Sequence, residues 1–204
     1  MVQPYARCEM APEHIHPITR PGGWTLEGGY RRRAHMCLDL LEMKTSNWWK
    51  QYGNAFEAKR SPVPTEAVEA LNEIHLLSDS TVVFAAMAVE SFLNVYGVVR
   101  LGEAFYARHY ERLRIGSKLA AILATCCDSL ITADDEISQV VRRLFERRNA
   151  LVHPKTREAK EGRRHSGPKL ESPRDTARDA IQDMERFVEL FRAFDTDAGR
   201  WEHV

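Results

Sequence analysis

Apolar positions recur with helical spacing over most of this chain, and no stretch shows the strict alternation of a strand. From Tyr30 to about Lys59, Met36, Leu40, Met43 and Trp48, with Leu41 and Trp49 beside them, predict a helix with one broad apolar face. Ser61-Pro62-Val63-Pro64 interrupts the pattern. A second helix is predicted from near Thr65 to about Arg100, with Glu66 and Glu69 in its first turns and room for a kink near Ser78. Gly102 to Arg112 reads as a short helix or connector, and Gly116 to Cys127 as a helix through Leu119, Ile122 and Leu123. Thr132 or Asp134 can cap the next helix, which runs to His153. Lys155 to Lys169 reads as a loop. Ser172-Pro173 then starts a last amphipathic helix through Ala177, Ile181, Met184, Val188 and Phe191 to near Asp195. The pattern predicts an all-α, up-and-down bundle of about four to six helices, without internal repeats or a Gly-rich phosphate loop. Residues 1–29, rich in Pro, Gly and His, read as a loosely ordered leader, 30–195 as the helical domain and 196–204 as a tail.

Composition narrows the classes. With 29 basic and 29 acidic residues among 204, no global field draws in nucleic acid, so any attraction must be local. The mostly apolar run Val82–Val99 passes a length test for a membrane span, but Glu90 and Asn94 lie near its centre. A helix wrapped by other helices is therefore expected, with no membrane partner. Four cysteines without zinc-finger spacing, and no continuous apolar stretch at the start, lead us to expect a reduced, cytoplasmic setting. Cys8, His14, His16, His35 and Cys37 match no standard metal site, so neither metal nor cofactor is expected. Cys126 and Cys127 are read as small core hydrophobes. Trp48-Trp49 reads as core or dimer packing rather than a base-stacking platform, and Arg31 to Arg33 as solvated or phosphate-seeking cations.

The stretch Arg147-Arg148-Asn149-Ala150-Leu151-Val152-His153-Pro154-Lys155 carries the candidate chemistry. With Leu144 at zero on a wheel of about 100° per residue, Ile137, Val140, Val141 and Leu151 fall within about 60° of it. Arg148 falls inside that stripe, at about 40°. A guanidinium cannot shed its charge, so burial there demands an anion. Glu90, the lone charge between Ser80 and Val99, is the expected partner. Asn149 and His153 share the opposite face, and Pro154 ends the helix at His153. Lys155, Arg157, Lys160, Arg163, Arg164, His165 and Lys169 make the following loop locally basic, able to hold an RNA backbone or simply to be solvated.

These residues resemble the HEPN family (higher eukaryotes and prokaryotes nucleotide-binding), whose hallmark is Arg, four residues, His. Here it reads Arg148 to His153, with the frequent polar residue after the Arg (Asn149) and the frequent Pro after the His (Pro154). Ala88-Val89-Glu90-Ser91-Phe92-Leu93-Asn94 is similar to the family's second helix, which commonly carries an acid near the active-site Arg. The resemblance covers about Tyr30 to Phe194. It implies a metal-independent endoribonuclease of the kind found in toxin–antitoxin and phage-defence systems, acting as a homodimer whose two motifs line one cleft. His153 would be the general acid/base, Arg148 would bind the phosphate, Glu90 would hold Arg148, and Asn149 would orient phosphate or ribose. Lys155, Arg157, Arg163 and Arg164 would bind RNA. An antitoxin or defence-system protein would be a partner. Where a subset of the family has Tyr two residues after the His, this chain has Lys155, which argues against control by adenylylation there. The alternative is a non-catalytic HEPN-like module for dimerisation or for nucleotide or RNA binding.

Overall fold

The computed structural model describes residues 26–57, 64–152, 172–196 and 198. They form six helices: α1 (Leu26–Glu57), α2 (Thr65–Leu101), α3 (Glu103–His109), α4 (Ile115–Cys126), α5 (Glu136–Val152) and α6 (Pro173–Phe194). The all-α expectation holds. α1 begins four residues earlier than the periodicity implied, inside the stretch read as leader. α2 runs uninterrupted past Ser78, whose hydroxyl donates to the Pro173 carbonyl at 2.7 Å.

α2 is the axis of the bundle. Val82, Ala85, Ala86, Val89, Phe92, Leu93 and Tyr96 are all buried, in contact with α1, α5 and α6. By length and composition α2 could cross a bilayer, yet 56% of its most apolar window is already covered by the rest of the fold. Cross-helix contacts give the directions. Tyr30 stacks near Phe84, and the Trp48 indole N–H donates to the Ala67 carbonyl at 2.9 Å, so α1 runs antiparallel to α2. Ser78 meets Pro173 and Phe92 meets Phe187 and Phe191, so α6 runs parallel to α2. Arg147 reaches Asp179 while Glu136 reaches Arg186, so α5 runs antiparallel to α6. Four long helices thus form an up-and-down bundle, and α3 and α4 bridge the end of α2 to α5. Gly97 makes room for that bridge: a Cβ there would lie 2.4 Å from the Tyr106 ring of α3.

Two sequence expectations fail at the helix surfaces. The buried arc of α1 is Ala34, Leu41 and Trp48, spaced by seven, whereas Met36 (55% exposed), Leu40, Met43 and Trp49 face outward. Side-chain size drew the reading to the methionines, but the close approach of α2 selected the arc that begins at small Ala34. Leu151, expected in the α5 stripe, is 38% exposed because it and Val152 lie beyond the last buried turn of α5, which ends at Phe145.

Candidate functional site

α5 carries four arginines that divide into two pairs. Arg143 and Arg147 turn to α6. Arg143 Nη2 lies 2.7 Å from Asp183 Oδ1, Arg147 Nη1 lies 2.6 Å from Asp183 Oδ2, and Arg147 Nη2 lies 3.0 Å from Asp179. Asp183 is 6% exposed, so it is the buried acid that two guanidiniums neutralise. Arg142 and Arg148 have no such acid among the described residues. Arg148 is half-buried, and its Nη1 donates to Asn149 Oδ1 at 3.0 Å.

Asn149 in turn lines a cleft of about 530 Å³ between the start of α4, the loop 131–133 and α5. Val141 and Phe145 supply a buried apolar floor, with Ile131 beside them. Arg142, Glu146 and Ser117 stand on the rim. Thr132 holds the loop in shape: its amide and hydroxyl both donate to Asp135 Oδ2, the hydroxyl at 2.9 Å, and it accepts from the Asp134 amide at 3.3 Å. These bonds close the turn that leads into α5 and shape the cleft wall. The structure therefore sets Arg142 and Asn149 along the α5 wall of a cleft whose described rim carries one carboxylate, Glu146, with Arg148 bonded to Asn149.

The expected pairing of Glu90 with Arg148 is not formed. Glu90 sits instead with α3 and α4, where its charge acts on Lys118 and Tyr106. Lys118 is 2% exposed. Its Nζ donates to Asn94 Oδ1 at 2.6 Å, the Tyr106 hydroxyl donates to the same oxygen at 2.6 Å, and the ammonium lies 5.9 Å from the Tyr106 ring centre. Lys118 is thus a buried cation that bonds Asn94 within the field of Glu90, and the α5 arginine that meets a buried acid most closely is Arg147. Burial lowers the Lys118 pKa and, aided by Glu111 and Glu90, raises the Tyr106 hydroxyl to about 12. Sequence reading passed over Lys118 because a lysine ordinarily marks a solvated face. It also passed over Asp179 and Asp183, although their spacing of four mirrors Arg143 and Arg147 and was a readable signal.

His153, Lys155, Arg157, Arg163 and Arg164 lie outside the described residues, as do Cys8, His14 and His16. Other candidates are settled. Arg31 is clamped to Glu185, with Nε 2.9 Å from Oε1, and His35 Nε2 lies 2.8 Å from the same oxygen. Arg33 lies over the Tyr30 and Phe84 rings. Trp48 is core, while Trp49 stands half exposed. Cys126 is buried and Cys127 partly so. Burial raises both thiols, Cys126 to about 12, which keeps them protonated and unreactive. Among the described residues no three His, Cys, Asp or Glu side chains gather as a metal site. Comparison with protein-family models, with curated proteins and with solved structures finds no match to this chain.

Proposed function

We propose that this protein is a HEPN-like, metal-independent endoribonuclease that uses the cleft at the end of α5. The observation that carries the reading is the Arg148–Asn149 contact at the lip of that cleft, made by an arginine that no acid holds among the described residues. A cation so placed can attract a phosphate and stabilise it as negative charge crowds at phosphorus. His153 follows Val152 directly in sequence and exchanges protons near neutral pH. In the reaction a base removes the proton from a ribose 2′-OH. The 2′-oxygen then bonds to the adjacent phosphorus, and the bond from phosphorus to the 5′-oxygen breaks. An acid protonates that oxygen, leaving a 2′,3′-cyclic phosphate and a 5′-OH. One chain carries one motif histidine, so separate acid and base imply a homodimer. Leu151 and Val152, exposed at the end of α5, support a second copy at this end. Lys155, Arg157, Arg163 and Arg164 would hold the RNA backbone outside the cleft. We place the activity in the cytoplasm, with an antitoxin or defence-system protein as partner.

One observation favours a second reading, a non-catalytic module that binds nucleotide or RNA. Arg148 bonds Asn149 and forms no ion pair with Glu90, so among the described residues it lacks the acidic anchor expected of a catalytic arginine. Mixed RNA incubated with purified protein in EDTA separates the two. The enzyme cuts RNA, and Arg148→Ala and His153→Ala each abolish cutting. Intact RNA leaves the binding module, and variants that cut as well as the parent remove Arg148 and His153 from the chemistry.

A further inference from the structure

We infer that the cleft between α4 and α5 is a nucleobase subsite and that Asn149 is its reading residue. The inference rests on the RNA reading for its biological substrate but stands on the geometry of the cleft. Arginine has only donors, so its contact with Asn149 fixes the amide orientation: the oxygen faces Arg148. The Nδ2 group is thereby turned away from Arg148, and no hydrogen bond from it is made among the described residues. Asn149 lines the cleft, so this donor is available to a ligand there.

The rest of the cleft selects the ligand class. Its floor is the aromatic ring of Phe145 with Val141, and its rim adds the Arg142 guanidinium. At about 530 Å³ it is ample for one planar heterocycle with its ribose. A bare phosphate has no use for an apolar floor, and an aliphatic ligand has none for an amide donor. A nucleobase matches both, with an apolar face for Phe145 and an edge of carbonyl or ring-nitrogen acceptors for Asn149. Arg142 then lies within the same cleft for the phosphate of that nucleotide. Asn149 would set which nucleotide sits beside the cleaved bond, while Arg148 would serve the phosphate itself.

The test titrates the full chain with the four nucleoside 5′-monophosphates, the four nucleosides and inorganic phosphate, following the amide resonances of Gly116, Ser117 and Thr132. Two variants accompany it. Asn149→Ala removes an exposed side chain. Gly116→Phe narrows the cleft at a position where an added Cβ meets no atom within 4 Å. We expect at least one monophosphate, and its nucleoside more weakly, to bind with Kd of about 1 mM or tighter. Asn149→Ala should weaken binding about tenfold, and Gly116→Phe should abolish it while the melting curve is kept. No shift up to about 10 mM, equal shifts with inorganic phosphate alone, or parental binding by both variants would overturn the subsite. The two readings fail separately. Cutting that continues in Gly116→Phe, with no nucleotide bound by the parent, removes the subsite and keeps the ribonuclease. Binding lost in both variants of a protein that cuts no RNA does the reverse.

Discussion

At the scale of single residues, the molecule is governed by which charges it can neutralise. Asp183 is buried against two guanidiniums, both of them partly exposed to water. Asp183→Asn keeps the volume and removes the charge. We expect a loss of about 1–3 kcal/mol, read as a lower denaturation midpoint, because Arg143 and Arg147 then lose their shared acceptor. Lys118 makes a prediction about pH. Its folded pKa lies below the ordinary 10.5, so the unfolded chain binds more protons in the interval between the two values. Stability contributed by this residue therefore rises as pH climbs through that interval toward 10.5. The opposite trend comes from Tyr106, whose stabilising contribution is complete below 10.0 and is lost as pH rises through about 12. Lys118→Met isolates the lysine: the parent should gain on the variant, the midpoint of variant minus parent falling, as pH is raised toward 10.5. A pH-independent difference would mean that Lys118 is charged alike in both states.

At the scale of elements, helix ends and close crossings decide the geometry. Ser172 caps α6 by accepting from the Asp175 amide at 3.2 Å, with Pro173 in the first turn. Ser172→Ala should cost about 1 kcal/mol in chemical denaturation. This cap was readable from Ser-Pro, and five of the helices from their periodicity, with α3 left between short helix and connector, because these signals are local. The docking of α3 was not readable. Gly97 looks like a blemish in an apolar helix, yet it is where the Tyr106 ring lies against the α2 backbone. Gly97→Ala should push that ring away and cost about 1–3 kcal/mol, with loss of the Tyr106–Asn94 contact visible in the Tyr106 side-chain resonances. A neutral result would show that α3 can shift without penalty. The outward face of α1 was misread for the same reason. Periodicity reports that a helix has an apolar arc, but the partner helix selects which arc is buried.

At the scale of the whole molecule, the proposed activity needs two copies. If Leu151 and Val152 belong to the interface, Leu151→Glu should shift the protein from dimer to monomer in sedimentation equilibrium and reduce RNA cutting at least about tenfold. A parent that sediments as a monomer at cutting concentrations would remove the dimer from the mechanism. The helical class and the five longer segments were set by sequence alone, since spacing, prolines and caps act within a few residues of one another. Which charge meets which was decided only by the tertiary structure. Glu90 and Arg148 were the natural couple among the buried charges, but the bundle leaves them unpaired, puts Lys118 within the field of Glu90 and sets Asp183 against Arg143 and Arg147. The physical reason is range: helix formation is settled by neighbours along the chain, whereas a buried charge is settled by whichever opposite charge or polar group packing brings within a few ångströms.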